Sequence, residues 1–148
     1  MKHTNLIELA LHIANDAHRG QVDLDGKPVV LHPLAVGLSG GNIVEIVVGF
    51  LHDVVEDSNY TYSDLEEIGV PSEIIEILRL LTHLPEESYE DYLKRIAKSG
   101  NATAIKVKWN DLTHNLSRGI KGKHVKQVEK HTKAKEFLRP YYEKVIME

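Results

Sequence analysis

Residues 43–51, Ile-Val-Glu-Ile-Val-Val-Gly-Phe-Leu, are apolar at every position but Glu45 and Gly49. A helix that is hydrophobic all round has to sit inside the molecule, so the rest of the chain must be arranged around this segment. Immediately after it, His52, Asp53, Glu56 and Asp57 place ionisable side chains at four of six positions. On an uninterrupted helix these four span an arc of roughly 140° at about 100° per residue. Unpaired buried charge is costly, so this polar end must face water, a partner or a ligand.

The flanking sequence reads as helix after helix. Asn5 to His18 carries Leu6, Leu9, Ala10, Ile13, Ala14 and Ala17 at helical spacing, with Asn5 and Glu8 as a capping box and Gly20 as a stop. A loop with an Asp25-Gly26 turn follows, and Pro33 suits the first turn of the next helix. Asn42 caps the central helix, which is expected to run to about Asp57. Thr61 and Asp64 have capping-box spacing before a short helix that ends at Gly69. Further helices start at Pro71-Ser72, at Ser88-Tyr89-Glu90-Asp91 and at Asn101, the last running to about Ser117. Gly119 to Lys123 reads as a basic linker. Val125 to Met147 reads as a final helix that Pro140 should kink or restart. No segment of useful length has strand periodicity. The expected fold is all-α, a single domain over residues 1–148 with seven or eight helices.

Composition narrows the chemistry. Hydrophobic residues make up 42% and charged residues 27% of 148 residues, and the net charge is −4. This balance gives no reason to expect a nucleic-acid partner. With no cysteine there is no disulfide, no thiolate metal site and no cysteine nucleophile. The apolar run at Ile43–Leu51 is far too short to span a membrane. The N-terminus lacks a basic segment followed by an apolar core, so the cytoplasm is the expected compartment. Nine histidines make nitrogen and oxygen the available metal donors.

Two further groups stand out. His32 precedes Pro33 at a helix entrance. Lys108, Asp111, His114 and Asn115 are spaced by three, three and one, which puts them on one helix face; taken alone, this is the pattern of a solvated polar stripe. His18 lies at a helix end where it could hold a metal ligand or a backbone group in place.

In order and spacing, His32, His52-Asp53 and Asp111 resemble the HD superfamily of metal-dependent phosphohydrolases. The likeness narrows to the hydrolase domain of RelA/SpoT-type alarmone enzymes and the small stand-alone alarmone hydrolases. It is carried by Ala17-His18-Arg19-Gly20-Gln21, Gly26-Lys27-Pro28, His32-Pro33, Leu51-His52-Asp53-Val54-Val55-Glu56-Asp57, Ser88-Tyr89-Glu90-Asp91-Tyr92 and Lys108-Trp109-Asn110-Asp111 with His114-Asn115. The resemblance implies one Mn²⁺ ion held by His32, His52, Asp53 and Asp111. It implies that Glu56 and Asp57 position or deprotonate the attacking water, and that Lys108 and Asn115 lie near substrate. The implied reaction is removal of the 3′-pyrophosphate from (p)ppGpp or a related small nucleotide. Asp23-Leu24 stand where many relatives have basic residues, Val29 where many have Tyr, Trp109-Asn110 where Leu-Ala is frequent, and His131 near the start of the last helix where an aromatic is common. These departures bear on the base rather than on the metal. The alternatives are an HD nucleotidase or other phosphohydrolase, and a non-catalytic HD module.

Overall fold

The computed structural model describes residues 3–148. It contains nine helices among the described residues: α1 His3–Ala17, α2 Leu31–Leu38, α3 Ile43–Leu51, α4 Val54–Asp57, α5 Tyr62–Ile68, α6 Ser72–Leu81, α7 Tyr89–Lys98, α8 Ala102–Lys121 and α9 Val125–Ile146. The only pairing of extended chain there is an isolated bridge between Val22 and Pro28, which pinches off the loop between α1 and α2.

As its composition demands, α3 is the central element. Val47, Val48, Phe50 and Leu51 are buried, and α1, α2, α6 and α8 all pack on this helix. The crossing with α2 is unusually close. A Cβ on Gly49 would lie 2.6 Å from the Gly37 Cα, and a Cβ on Gly37 would collide with the Phe50 ring. Two glycines therefore let α2 and α3 touch backbone to backbone, which brings His32 near the start of α2 beside His52 at the end of α3. The longest pair, α8 and α9, closes the other side, with Ala134 and Leu138 of α9 buried against it.

Most helix starts follow their caps. Asn42 Oδ1 accepts from the Glu45 N–H, Thr61 and Asp64 form a capping box, and Ser88 and Asn101 cap α7 and α8. Gly69 ends α5 at φ 119°, a left-handed turn that a glycine takes without strain. Three expectations are corrected. α1 already runs from His3, so Asn5 lies inside it rather than at its cap. α8 continues through the expected basic linker to Lys121, because Gly119 is buried where α8 meets Val128 of α9. α9 passes Pro140 without restarting; the residue is exposed, and packing along the rest of the 22-residue helix holds it across the missing N–H.

The fourth correction matters most for function. The central helix does not reach Asp57 in one piece, but turns at His52-Asp53 and resumes as the single turn α4. Asp53 takes φ −103° and ψ 0°, the bridge region between helix and turn. The cause is local. A continued helix would offer the Gly49 carbonyl to the Asp53 N–H, but that carbonyl is taken by the His52 ring, whose Nδ1–H donates to it at 2.6 Å.

Candidate metal and catalytic site

The turn at residues 52–53 points two consecutive side chains into one site. His52 Nε2 lies 3.2 Å from Asp53 Oδ2 and 3.3 Å from Asp111 Oδ1. From α2, His32 Nε2 reaches Asp111 Oδ1 at 2.7 Å and Asp53 Oδ2 at 3.9 Å. Two imidazole nitrogens and two carboxylate oxygens thus converge from α2, from the α3–α4 turn and from α8. His32, His52 and Asp111 are buried, and Asp53 is partly so.

The outer ring nitrogens are engaged as well. His52 Nδ1 is fixed by the Gly49 carbonyl, and His32 Nδ1 lies 2.7 Å from His114 Nδ1, with the two rings stacked. Both histidines therefore turn Nε2 inward, which is how an imidazole metal ligand is oriented by its neighbours. A mixed set of two nitrogens and two oxygens fits Mn²⁺ or a similar divalent ion and leaves positions for water and phosphate. The residues present fit such a cation.

Electrostatics hold the cluster together. Burial pushes the Asp111 carboxyl up, but Lys108 beside it and hydrogen bonds from His32 and His52 outweigh that and hold it well below the usual carboxylate range. Burial likewise pulls Lys108 down, and Asp111 with Tyr92 and Tyr89 more than restores it. The ammonium donates to Asp111 Oδ2 at 2.7 Å and sits 4.9 Å from the Tyr92 ring centre. Lys108 is thus a buried counter-ion to Asp111. Asn115 is also occupied: its amide donates to Asp111 Oδ1 at 3.1 Å, and its carbonyl accepts from Arg118 at 2.7 Å.

Beside the cluster stand Glu56 and Asp57 on α4. The carboxylate oxygens of Asp53, Glu56 and Asp57 come within 4.8 Å of one another. Glu56 Oε1 accepts from the His83 N–H at 2.8 Å. Burial, with Asp53 and Glu56 nearby, pushes the Asp57 carboxyl up to about 6. A cavity of about 240 Å³ opens on one flank, lined by residues that include Asp23, Leu24, Asn115, Arg118 and His131.

The eight site residues that the resemblance implies thus fall in one neighbourhood. Arg118 was missed. It extends the 111, 115, 118 face of α8 by one turn and reaches Asp23 at 3.6 Å, tying the α1–α2 loop to the site. That spacing was a usable signal. No sequence signal pointed to the contact of Gln21 with the Asp57 carbonyl, made across 36 positions.

No family model matches the chain. The bifunctional (p)ppGpp synthase/hydrolase SpoT of Escherichia coli is 33% identical over 116 residues, covering 70% of this chain and 16% of that protein. The guanosine-3′,5′-bis(diphosphate) 3′-pyrophosphohydrolase of Haemophilus influenzae is 34% identical over 116 residues, with 70% and 17% covered. The chain thus spans about a sixth of the length of these curated relatives. A solved structure of a metazoan SpoT ortholog, described as hydrolysing ppGpp, has a TM-score of 0.68 over 96% of this chain and 94% of that one, at 18% identity. The chain belongs to the RelA/SpoT-type HD domains. Its all-helical architecture is that of the SpoT ortholog across almost the whole length. No described helix of this RelA/SpoT-type domain is long and apolar enough to cross a membrane.

Proposed function

We propose that this chain is a divalent-metal-dependent 3′-pyrophosphohydrolase of guanosine or adenosine alarmones such as (p)ppGpp, with residues 1–148 acting as one cytoplasmic hydrolase domain. The observation that carries the reading is the convergence of His32, His52, Asp53 and Asp111 beside Glu56-Asp57, on a chain related to ppGpp hydrolases. These four residues would hold the cation, for which Mn²⁺ is the proposed identity. When bound, such an ion lowers the pKa of coordinated water and offsets charge on phosphoryl oxygens.

The protein's own groups account for the remaining work. Glu56, which accepts from the His83 N–H, and Asp57 would accept the proton of the attacking water. Lys108 keeps Asp111 ionised and fixed. The second oxygen of Asp111 faces both imidazoles, so one carboxylate joins the lysine to the ligand set. Asn115 and Arg118 border the cavity that would take the nucleoside.

A second reading, another nucleotide phosphohydrolase, is favoured by Asp23 at the cavity wall, where many relatives carry basic residues. One experiment separates the two: pyrophosphate release from ppGpp and ppApp, each with Mn²⁺ and with EDTA. Mn²⁺-dependent release supports the alarmone reading, and the ratio gives the base. No release from either substrate while Mn²⁺ is bound favours the second reading. No Mn²⁺ bound at all favours a non-catalytic module.

A further inference from the structure

The single turn α4 carries Glu56 and Asp57, yet four residues are too few to hold a helix by their own hydrogen bonds. Its position has to be imposed from outside. One restraint comes from the far end of α1. Gly20 takes φ 79°, a left-handed turn that reverses the chain after α1 and swings Gln21 back over the helix end. There the Gln21 amide donates to the Asp57 carbonyl at 2.8 Å and, more weakly, to the Ala17 carbonyl at 3.4 Å. With both of its amide hydrogens directed at carbonyls, Gln21 has only its Oε1 to offer His18, whose Nδ1 lies 3.0 Å away. Nδ1 must therefore carry the hydrogen. His18 Nε2, on the other side of the ring, is buried with no hydrogen-bond partner, in a residue only 2% exposed.

A buried histidine held in the tautomer that leaves one nitrogen unsatisfied needs an explanation. Among the described residues the ring makes no hydrogen bond to His32, His52, Asp53 or Asp111. Among the described residues, the one hydrogen bond of the ring fixes the orientation of the Gln21 side chain, and the one long-range hydrogen bond of that side chain is to the α4 carbonyl. We infer that His18 and Gln21 form a positioning brace: His18 sets the amide of Gln21, and Gln21 anchors the last residue of α4 so that Glu56 and Asp57 face the cluster. The inference rests on the proposed function for its catalytic consequence, but the brace itself is a statement about α4.

The test uses Gln21→Leu and His18→Phe, which keep bulk but remove the donors, and His18→Asn, whose amide places an N–H where Nδ1–H stood. Amide hydrogen exchange is followed across the chain in the presence of Mn²⁺, alongside Mn²⁺ affinity and steady-state kinetics on ppGpp. The brace predicts faster exchange confined to residues 54–58 in the first two variants and restored protection in His18→Asn. It also predicts wild-type Mn²⁺ affinity and KM, with kcat lower by roughly ten- to a hundredfold, the scale on which displacing a reacting group acts. Unchanged exchange at 54–58, or exchange that rises evenly along the whole chain, overturns the brace. So does unchanged kcat. If the wild-type chain releases no pyrophosphate, the proposed reaction fails and the exchange pattern alone decides the brace.

Discussion

The Gly49 carbonyl accepts the His52 Nδ1–H at 2.6 Å, and the same glycine, through its missing Cβ, lets α2 lie against α3. One residue therefore sets the orientation of one proposed ligand and the approach of the other, His32. A methyl group at Gly49 would have to displace the Gly37 backbone. Gly49→Ala is expected to destabilise the fold by about 1–3 kcal/mol, the range for overpacking a filled interior. It should also weaken Mn²⁺ binding, because α2 carries His32 away from His52. Denaturant unfolding and metal titration check the two effects separately, and a variant that loses stability while keeping metal affinity would refute the link.

Ligand and carboxylate roles should separate by mutation. Asp53→Ala is expected to lose Mn²⁺ binding and turnover with the helical content kept, since Asp53 is only partly buried and no helix depends on its side chain. Glu56→Gln preserves an oxygen for the His83 N–H and should bind Mn²⁺ normally. Its kcat should fall by about 10²–10⁴, the usual contribution of a positioned proton acceptor. Metal titration paired with initial rates checks both, and full activity in either variant would refute the site assignment.

Metal should also stabilise the fold. An ion that binds only the native chain at a hundred times its Kd adds about 2.7 kcal/mol. Saturating Mn²⁺ is expected to raise the thermal midpoint, EDTA to reverse it, and Asp53→Ala to abolish the response. A midpoint indifferent to Mn²⁺ in the wild-type chain would refute the cation site.

His131 gives a pH dependence with a definite sign. Burial pushes the ring down to about 4; Lys130, Lys108 and Arg118 add to the shift, and Asp111 opposes it. In the unfolded chain the same group titrates near its ordinary value of about 6.5. Between these values the unfolded chain binds the extra proton, so stability is full above about 6.5 and declines as pH falls toward about 4. His131→Gln should flatten that part of the stability profile. NMR titration of the His131 ring would show the midpoint directly, and a midpoint near 6.5 would refute it.

Local chemistry was the legible part of the sequence. Asn42, Thr61-Asp64, Ser88 and Asn101 start helices because a cap is decided by the three or four residues around it. The segment at 43–51, apolar but for Glu45 and Gly49, could only be a buried helix, and the structure makes it one. The break at His52-Asp53 was not legible, because hydrophobic periodicity carries on through it and the cause is a side chain competing for one backbone carbonyl. Nor was the continuity of α9 at Pro140, which depends on α8 packing along its length. Lys108 shows the same limit within the site. Spacing put it on the face of Asp111, and only the three-dimensional contact shows that its charge is already matched.

That contact bears on how a domain of this kind would decay if selection for its chemistry were relaxed. Losing Asp111 would strand Lys108 in the interior and remove the junction of α2, α3 and α8, so such a chain would fold poorly before it had time to drift further. Glu56 and Asp57 are exposed, and the tie of Glu56 to the His83 N–H lies at the surface, so they could be replaced at smaller cost to the fold than Asp111. A degenerate descendant would therefore keep the buried histidines and Asp111 long after becoming inert, and the persistence of Glu56-Asp57 says more about present use than the intact cluster does.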